Sequence, residues 1–308
     1  MKKLFTILTV LFITSCSDQP ILDDAFLDGD LIMDASIYAP EEYLTSYANP
    51  NPTDLESVKP VFIACHGYSA TTFEWDEFKD WSADNSNYYI SQVLLGGHGS
   101  NYEDFKASTW LDWQMSIIEE YERLVTAGYT NINFLASSTS CPLLLELLAR
   151  DYFEGKLAPK NIMLVDPMII PSDKTLPLIG LIGPMLGYIE SGNTGEEDNY
   201  WYHFRPQETL QELYAISKIA RKSLEDGILL PEDCSLKVYK SIQDPTTDPV
   251  GAVLIYNGIQ TSQNATIDVE IIDSDLHVYT RLNLREMVTN KDLENQLNTF
   301  NDFIERTN

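Results

Sequence analysis

Basic residues are scarce: the 308-residue chain carries 20 Lys+Arg against 47 Asp+Glu, a net charge of −27. So acidic a body has little with which to neutralise phosphates or to adsorb to anionic lipid through a polybasic face, which argues against nucleic acid as a partner. Long apolar runs are missing after the N-terminus, and none there approaches the ~20 residues of a membrane-spanning helix. Cysteine is scarce as well, at four. With Cys16 set aside for the reason below, Cys65, Cys141 and Cys234 remain. An odd number excludes a disulfide framework as the organising principle and leaves room for one bridge at most. What is present is 44% hydrophobic and 22% charged residues. That balance rules out wholesale disorder and supports a sizeable core, as one large or two small domains.

The first residues are of another kind. Met1-Lys2-Lys3 is a short basic region, and Leu4 to Ile13 is an apolar run too short to span a bilayer, which together read as a secretory signal. The run ends in Ile13-Thr14-Ser15-Cys16, which resembles a bacterial lipobox. The resemblance implies a signal peptide over 1–16, acylation of Cys16, and a lipid-anchored protein of the bacterial cell envelope, periplasmic or surface-facing; acyl chains bind membranes at about 0.8 kcal/mol per buried CH₂. Ser17 to Asp30 is polar and acidic and reads as a tether, so 17–59 is assigned to a tether and N-terminal segment.

From Pro60 the chain alternates short apolar strands with helical stretches. Expected strands are Val61–Cys65, Tyr89–Leu95, Ile132–Ala136, Asn161–Val165, Leu236–Ile242 and Ile267–Ile272, several of them continuously apolar as in strands covered on both faces. Trp110, Trp113, Ile117, Tyr121 and Leu124 recur at helical spacing, with Thr109 as N-cap, Asp112 three residues on and Gly128 past the end. A last helix after Asn290 shows Leu293, Leu297, Phe300 and Ile304 on one face. The alternation predicts an α/β fold with a mostly parallel central sheet flanked by helices. It breaks once, at 169–233, which holds no convincing strand but carries an apolar Gly/Pro-punctuated run, Leu176 to Tyr188, and a helical stretch from Glu208 to Leu224. An insertion of that length is read as a small helical cap between core segments 60–168 and 234–308, the alternative being a helical hairpin packed on the sheet edge.

Ligands of open α/β sheets bind at the carboxyl ends of the strands. After Ile132–Ala136 comes Ser137-Ser138-Thr139-Ser140 and then an apolar helix, a strand-to-helix turn that can thrust a hydroxyl out above the sheet. Of the competing serines, Ser138 sits centrally with a small residue, Ala136 or Ser140, two positions away on each side. A serine hydroxyl needs a base. Among the four histidines, His277 follows a late strand, whereas His66 and His98 sit beside glycines as structural loop residues and His203 lies among aromatic residues as packing. The imidazole needs an orienting carboxylate. Asp244 and Asp248 both follow Leu236–Ile242; Asp244 is nearer the strand end, and Asp248 has a competing role as a helix cap. Backbone N–H groups of Tyr68 and Thr139 are placed to hold an oxyanion.

Taken together, His66-Gly67-Tyr68, Gly97-His98-Gly99, Thr109-Trp110-Leu111-Asp112-Trp113, the turn at Ser138, Ile242-Gln243-Asp244 with Ile255-Tyr256-Asn257 beyond it, and Asp275-Leu276-His277-Val278 resemble the α/β-hydrolase family. Within it the resemblance is to bacterial carboxylesterases and monoacylglycerol lipases with a small cap, over about Pro60 to Arg306. It implies Asp244 as the acid of a Ser138–Asp244–His277 triad, Tyr68 and Thr139 as oxyanion donors, a small-molecule ester substrate, an acyl-enzyme, and neither cofactor nor metal. Two positions depart from the family: the turn lacks both flanking glycines, and Leu276 stands where glycine is common. These departures keep a second expectation in view, a non-catalytic surface lipoprotein that binds a ligand or partner in the same cleft. A related hydrolase of peptide or carbon–carbon bonds would share the same triad.

Overall fold

The computed structural model describes residues 18–23, 27–29, 49–83 and 87–307. The expected signal peptide and Cys16 lie outside them; of the expected tether, Ser17 to Asp30, residues 18–23 and 27–29 are described, and Leu27 and Asp28 there are buried against the fold rather than free. No helix among the described residues is long and apolar enough to cross a membrane.

The first half runs α1 (Asp54–Ser57), β1 (Val61–Cys65), α2 (Asp76–Ser82), β2 (Tyr89–Val93), α3 (Tyr102–Ala107), α4 (Trp110–Ala127), β3 (Ile132–Ser137), α5 (Ser140–Ala149) and β4 (Asn161–Val165). Then come α6 (Ile179–Leu186), β5 (Tyr188–Glu190), β6 (Phe204–Pro206), α7 (Gln207–Asp226) and β7 (Ile228–Leu229). The chain closes with β8 (Ser235–Ser241), α8 (Val250–Gly258), β9 (Ile259–Gln260), β10 (Asp268–Ile272) and α9 (Asn290–Glu305). Six strands form one sheet in the order β10-β8-β4-β3-β1-β2, every pair parallel. From β1 the chain winds outward to β2 and then returns to the other side of β1, so the winding reverses between β1 and β3, where such sheets open a crevice. Register sets Cys65 opposite Ala136, and Ser137 opposite Val165. The carboxyl ends of the central strands are therefore level, and their loops meet.

Both sheet faces are covered, and differently. Val61, Ile63, Ile132, Phe134, Ile162, Leu164, Leu236 and Val238 face a largely aliphatic layer supplied by α4, α5, α7 and α8. Their neighbours Phe62, Ala64, Leu135, Met163, Val165 and Tyr239 face Trp75, Phe78, Phe300 and Phe303. The Phe78 ring lies 5.0 Å from that of Phe300 and 5.5 Å edge-on from that of Phe303. Burying such a side chain contributes about 1.5–3 kcal/mol, so both layers hold the sheet and its loops stiff. Helix α4 starts as expected, with Thr109 and Asp112 in a reciprocal capping box, and ends on Gly128 at φ 101°.

Two expectations are corrected. The segment 169–233 does contain strands: β5 and β6 pair as an antiparallel hairpin and β7 pairs with β9. Runs of two or three residues are too short for a polarity period to show. On α9 the buried side is Asp292, Gln296, Thr299, Phe300 and Phe303, while Leu293 and Leu297 are 44% and 41% exposed. Hydrogen bonding rotates the helix from its apolar stripe: Gln296 donates to the Thr280 carbonyl at 2.8 Å and to Glu77 at 3.0 Å, and Asp292 closes the N-terminal capping box. The insertion itself has two parts. Helix α7 buries Leu213, Ile216, Ala220 and Leu224 in the aliphatic layer, whereas α6 leaves Leu181 and Met185 77% and 62% exposed.

Candidate active site

Ser138 follows β3 directly and holds φ at 48°, a left-handed conformation costly for a residue with a Cβ and found where a site requires it. Three bonds hold the turn. Its own N–H donates to the Val165 carbonyl at 2.9 Å, and its carbonyl accepts from Met168 N at 3.0 Å and from Cys141 N at 3.3 Å. The flanks do without glycine in two ways. Ala136 is buried in the sheet. The Ser140 hydroxyl has the carbonyls of Cys65 and Ser137 each 2.8 Å away to share its one proton, and accepts from Ser137 N at 2.9 Å, pinning the turn to β1. Glycine is required instead at Gly67, across the gap, where a Cβ would come within 2.9 Å of Ser138 Cβ.

The Ser138 hydroxyl lies 2.9 Å from His277 Nε2, and His277 Nδ1 lies 2.9 Å from Asp244 Oδ2. Three loops, after β3, β8 and β10, thus bring together residues 33 to 139 positions apart in the chain. Ser138 is buried and His277 half-buried, so the imidazole faces the outside of the fold and the hydroxyl lies beneath it. With Nδ1–H of the imidazole donating to Asp244, Nε2 is left to accept from the hydroxyl, as nucleophile activation needs. Asp244 is well anchored: Oδ1 accepts from Thr246 N at 2.7 Å and Thr247 N at 3.1 Å, and Oδ2 accepts from the Thr247 hydroxyl at 2.5 Å and from Lys240 Nζ at 2.6 Å. Burial opposes its ionisation, but the charges and hydrogen bonds of His277 and Lys240 outweigh that and hold its carboxyl well below the usual range. Asp248 is not brought to the imidazole; it caps the next helix, accepting from Val250 N at 3.0 Å.

The amides expected to hold an oxyanion flank the hydroxyl's loop. Tyr68 follows Gly67 after β1, and Thr139 follows Ser138 at the start of α5. Among the described residues neither amide donates to another protein group. The Tyr68 hydroxyl shares a hydrogen bond of 2.7 Å with Thr209 Oγ1 on α7, so the insertion holds this loop down. His66 and His98 support it from beneath: His66 Nε2 accepts from Leu95 N at 3.1 Å and His98 Nε2 from Ser69 N at 3.3 Å. Burial pushes both imidazoles down, His66 to about 4, so they stay neutral acceptors. His203 lies in the insertion, half-buried, with Nδ1 3.2 Å from Asp198. Cys65, Cys141 and Cys234 are all free, and burial pushes each thiol up, Cys234 to about 12.

Four side chains of this neighbourhood escaped the sequence reading. Glu74, buried ahead of α2, accepts from Gly67 N at 2.8 Å and from the Ser137 hydroxyl, joining the oxyanion loop to the serine turn. Arg285 donates to the carbonyl of His277 and to that of Val278, a residue held at φ 51°. Lys240 and Asp166 form a buried ion pair behind Asp244. Asp166 had a signal, being the first residue past β4, and Lys240 had one as a lysine inside an apolar strand; Glu74 and Arg285 had none. The one group of potential metal ligands among the described residues is Asp166, Asp244 and His277, where the Lys240 ammonium already sits between the two carboxylates, 3.0 Å and 2.6 Å away. It supplies the positive charge a cation would bring. In place of the expected glycine, Leu276 donates its N–H to Ser274 Oγ at 3.1 Å; the positive φ falls two residues later.

No protein-family model and no curated protein matches the chain. Solved structures do. A lipolytic enzyme from the metagenome-derived LipS and LipT pair superposes with a TM-score of 0.63 at 19% identity, over 81% of this chain and 96% of that one. The monoglyceride lipase of Saccharomyces cerevisiae, solved with a substrate analogue, gives 0.62 at 11%, over 84% and 88%. The monoacylglycerol lipase of Paleococcus ferrophilus gives 0.61 at 11%, over 81% and 96%. With its parallel sheet, its helices on both faces and its serine turn at the point where the winding reverses, the chain has the α/β-hydrolase fold.

Proposed function

We propose that the chain is a serine hydrolase of carboxylic esters. One observation carries this reading: the unbroken line from Ser138 through His277 to Asp244, with 2.9 Å at each step, beginning at a serine of left-handed φ. In the reaction Ser138 Oγ attacks the ester carbonyl as His277 Nε2 takes its proton. The amides of Tyr68 and Thr139 receive the negative charge that develops on the carbonyl oxygen. Collapse of the tetrahedral intermediate expels the alcohol, which takes the proton back from His277, and water then repeats the sequence on the acyl-enzyme to release the acid. Asp244 orients the imidazole and stabilises its charged form. Removing one oxyanion donor typically costs a factor of about 10²–10³ in rate.

The proposed substrates are esters of short-to-medium acyl chains or monoacylglycerols. Support comes from the apolar run Leu176–Tyr188 in the insertion and from lipolytic and monoacylglycerol-cleaving enzymes among the structures of similar fold. The proposed location is the bacterial cell envelope, with acyl chains on Cys16 holding the body at a membrane; the lipobox-like Ile13-Thr14-Ser15-Cys16 supports it. A fluorophosphonate probe tests the chemistry: covalent label on Ser138, absent in Ser138→Ala, is expected. Folded protein that takes no label would instead favour the ligand-binding lipoprotein. Hydrolysis of acetyl esters alone, with longer chains ignored, would overturn the substrate class.

A further inference from the structure

Lys240 is fully buried, as are the side chains of both its partners. Its ammonium joins two carboxylates that come from different strand ends. Asp166, after β4, accepts from Lys240 Nζ at 3.0 Å and Ser241 N at 2.8 Å through Oδ1, and from Ser241 Oγ at 3.1 Å and Tyr279 N at 3.4 Å through Oδ2. Asp244, after β8, accepts from the same ammonium at 2.6 Å on Oδ2, the oxygen that also accepts the hydrogen bond from His277 Nδ1. Donor atoms of Asp166, Asp244 and His277 all lie within 4.8 Å of one another. The imidazole thus faces not one carboxylate but a minus–plus–minus row whose sum is a single negative charge.

We propose that Lys240 and Asp166 are positioning residues that hold the charge facing His277 at one negative unit, and so set the pH below which the imidazole is no longer available as a base. The inference rests on the serine-hydrolase reading for its meaning but not for its measurement. Other charged and titratable groups on the elements around the imidazole include Asp275 of its own loop, the Glu74 carboxylate beside Gly67, the Arg285 guanidinium on the His277 carbonyl, the Arg281–Glu197 ion pair that joins this loop to the insertion, and the Tyr279 phenol, bonded to Thr299 of α9. They are common to every variant below and cancel in the comparison. Removing the ammonium leaves two negative charges beside His277, which favour the imidazolium. Removing the Asp166 charge leaves Asp244 balanced by Lys240, which disfavours it.

The test is the acid limb of kcat/KM for a p-nitrophenyl ester, together with the NMR titration of the His277 ring, in the full chain and three variants. Lys240→Met is expected to move both readouts up by roughly one pH unit, and Asp166→Asn to move both down by about as much. The double variant, whose charge sum is again one negative unit, is expected to return close to the parent. It also keeps the test alive if Lys240→Met alone fails to fold, since replacing a buried ion pair outright is tolerated better than halving it. Shifts of the same sign in both single variants, no shift in either, or a double variant further from the parent than either single would overturn the proposal. Opposed shifts of the ring in a protein without esterase activity would sustain it while sinking the serine-hydrolase reading.

Discussion

The two halves of the site are built from different materials. On the serine side, geometry is fixed by neutral hydrogen bonds: Ser140 ties the turn to β1, the Ser138 amide and carbonyl are taken up by backbone, and the single charged contact, Glu74, reaches the Ser137 hydroxyl and the Gly67 amide. On the acid side it is charge that meets charge, with Lys240 between Asp166 and Asp244 and the imidazole at the end of the row. Neutral bonds have short reach and set where an atom sits. Fully buried charges act over several ångströms and set how strongly a proton is held. The contrast teaches that departures from glycine around Ser138 are local matters of fit, while a lysine four residues before Asp244 bears on the acid side through its charge, without touching Ser138.

Breaking either half outright gives the largest effect. Ser138→Ala or His277→Ala is expected to lower kcat by about 10⁴-fold or more, and Asp244→Asn by roughly 10³–10⁴-fold; ester turnover measures this, with thermal melts to show that the fold remains. Glu74→Ala tests the one charged contact of the serine side, because it strips an acceptor from the Gly67 amide and the Ser137 hydroxyl at once. Stability should fall by about 1–3 kcal/mol and activity by roughly 10–100-fold as the oxyanion loop loosens, read from denaturant unfolding and initial rates. Among the neutral contacts, Ser140→Gly restores the commoner small residue but deletes the hydroxyl that bridges Cys65 and Ser137. A loss of about 1–2 kcal/mol in denaturant unfolding, with no gain in rate, is expected; a faster enzyme would mean that the serine is a blemish rather than a brace.

The smallest effect lies outside both halves. Asp28 is buried and accepts from His203 N at 2.5 Å and Phe204 N at 3.0 Å, and burial raises its carboxyl to about 6. A folded value above the ordinary 3.8 means that the folded state binds the proton more tightly. Its ionisation penalty is then fully present above pH 6 and relieved as pH falls toward 4. Asp28→Asn should therefore look better against the parent at pH 8 than at pH 4.5, by about 1–2 kcal/mol in matched denaturant curves.

Much of this frame is legible from residue order. Strands β1, β3 and β4 show as apolar runs because they are covered on both faces, whereas β10 at the sheet edge is mostly exposed, and the ends of Val61–Cys65 and Asn161–Val165 fall where the polarity changes. Ser138, Asp244 and His277 could be singled out as candidates because each lies within five residues of the carboxyl end of a sheet strand, β3, β8 or β10. What stayed hidden is what depends on contacts between distant segments. The hairpin of β5 and β6 is too brief to have a period, the buried side of α9 follows the partners of Gln296 rather than its leucines, and the role of Lys240 exists only once β4 and β8 lie side by side.

The division within the insertion has a practical side for anyone wishing to transplant it. Because α7 buries Leu213, Ile216, Ala220 and Leu224 with the body and anchors Tyr68 through Thr209, a graft that replaced everything between β4 and β8 would tear out a wall of the main core. Ahead of α7, Tyr202 is likewise fully buried, its ring stacked 4.2 Å from that of Phe105 and its N–H on the Ser69 carbonyl, so only α6, with Leu181 and Met185 exposed, is left as a part that a chimera could exchange.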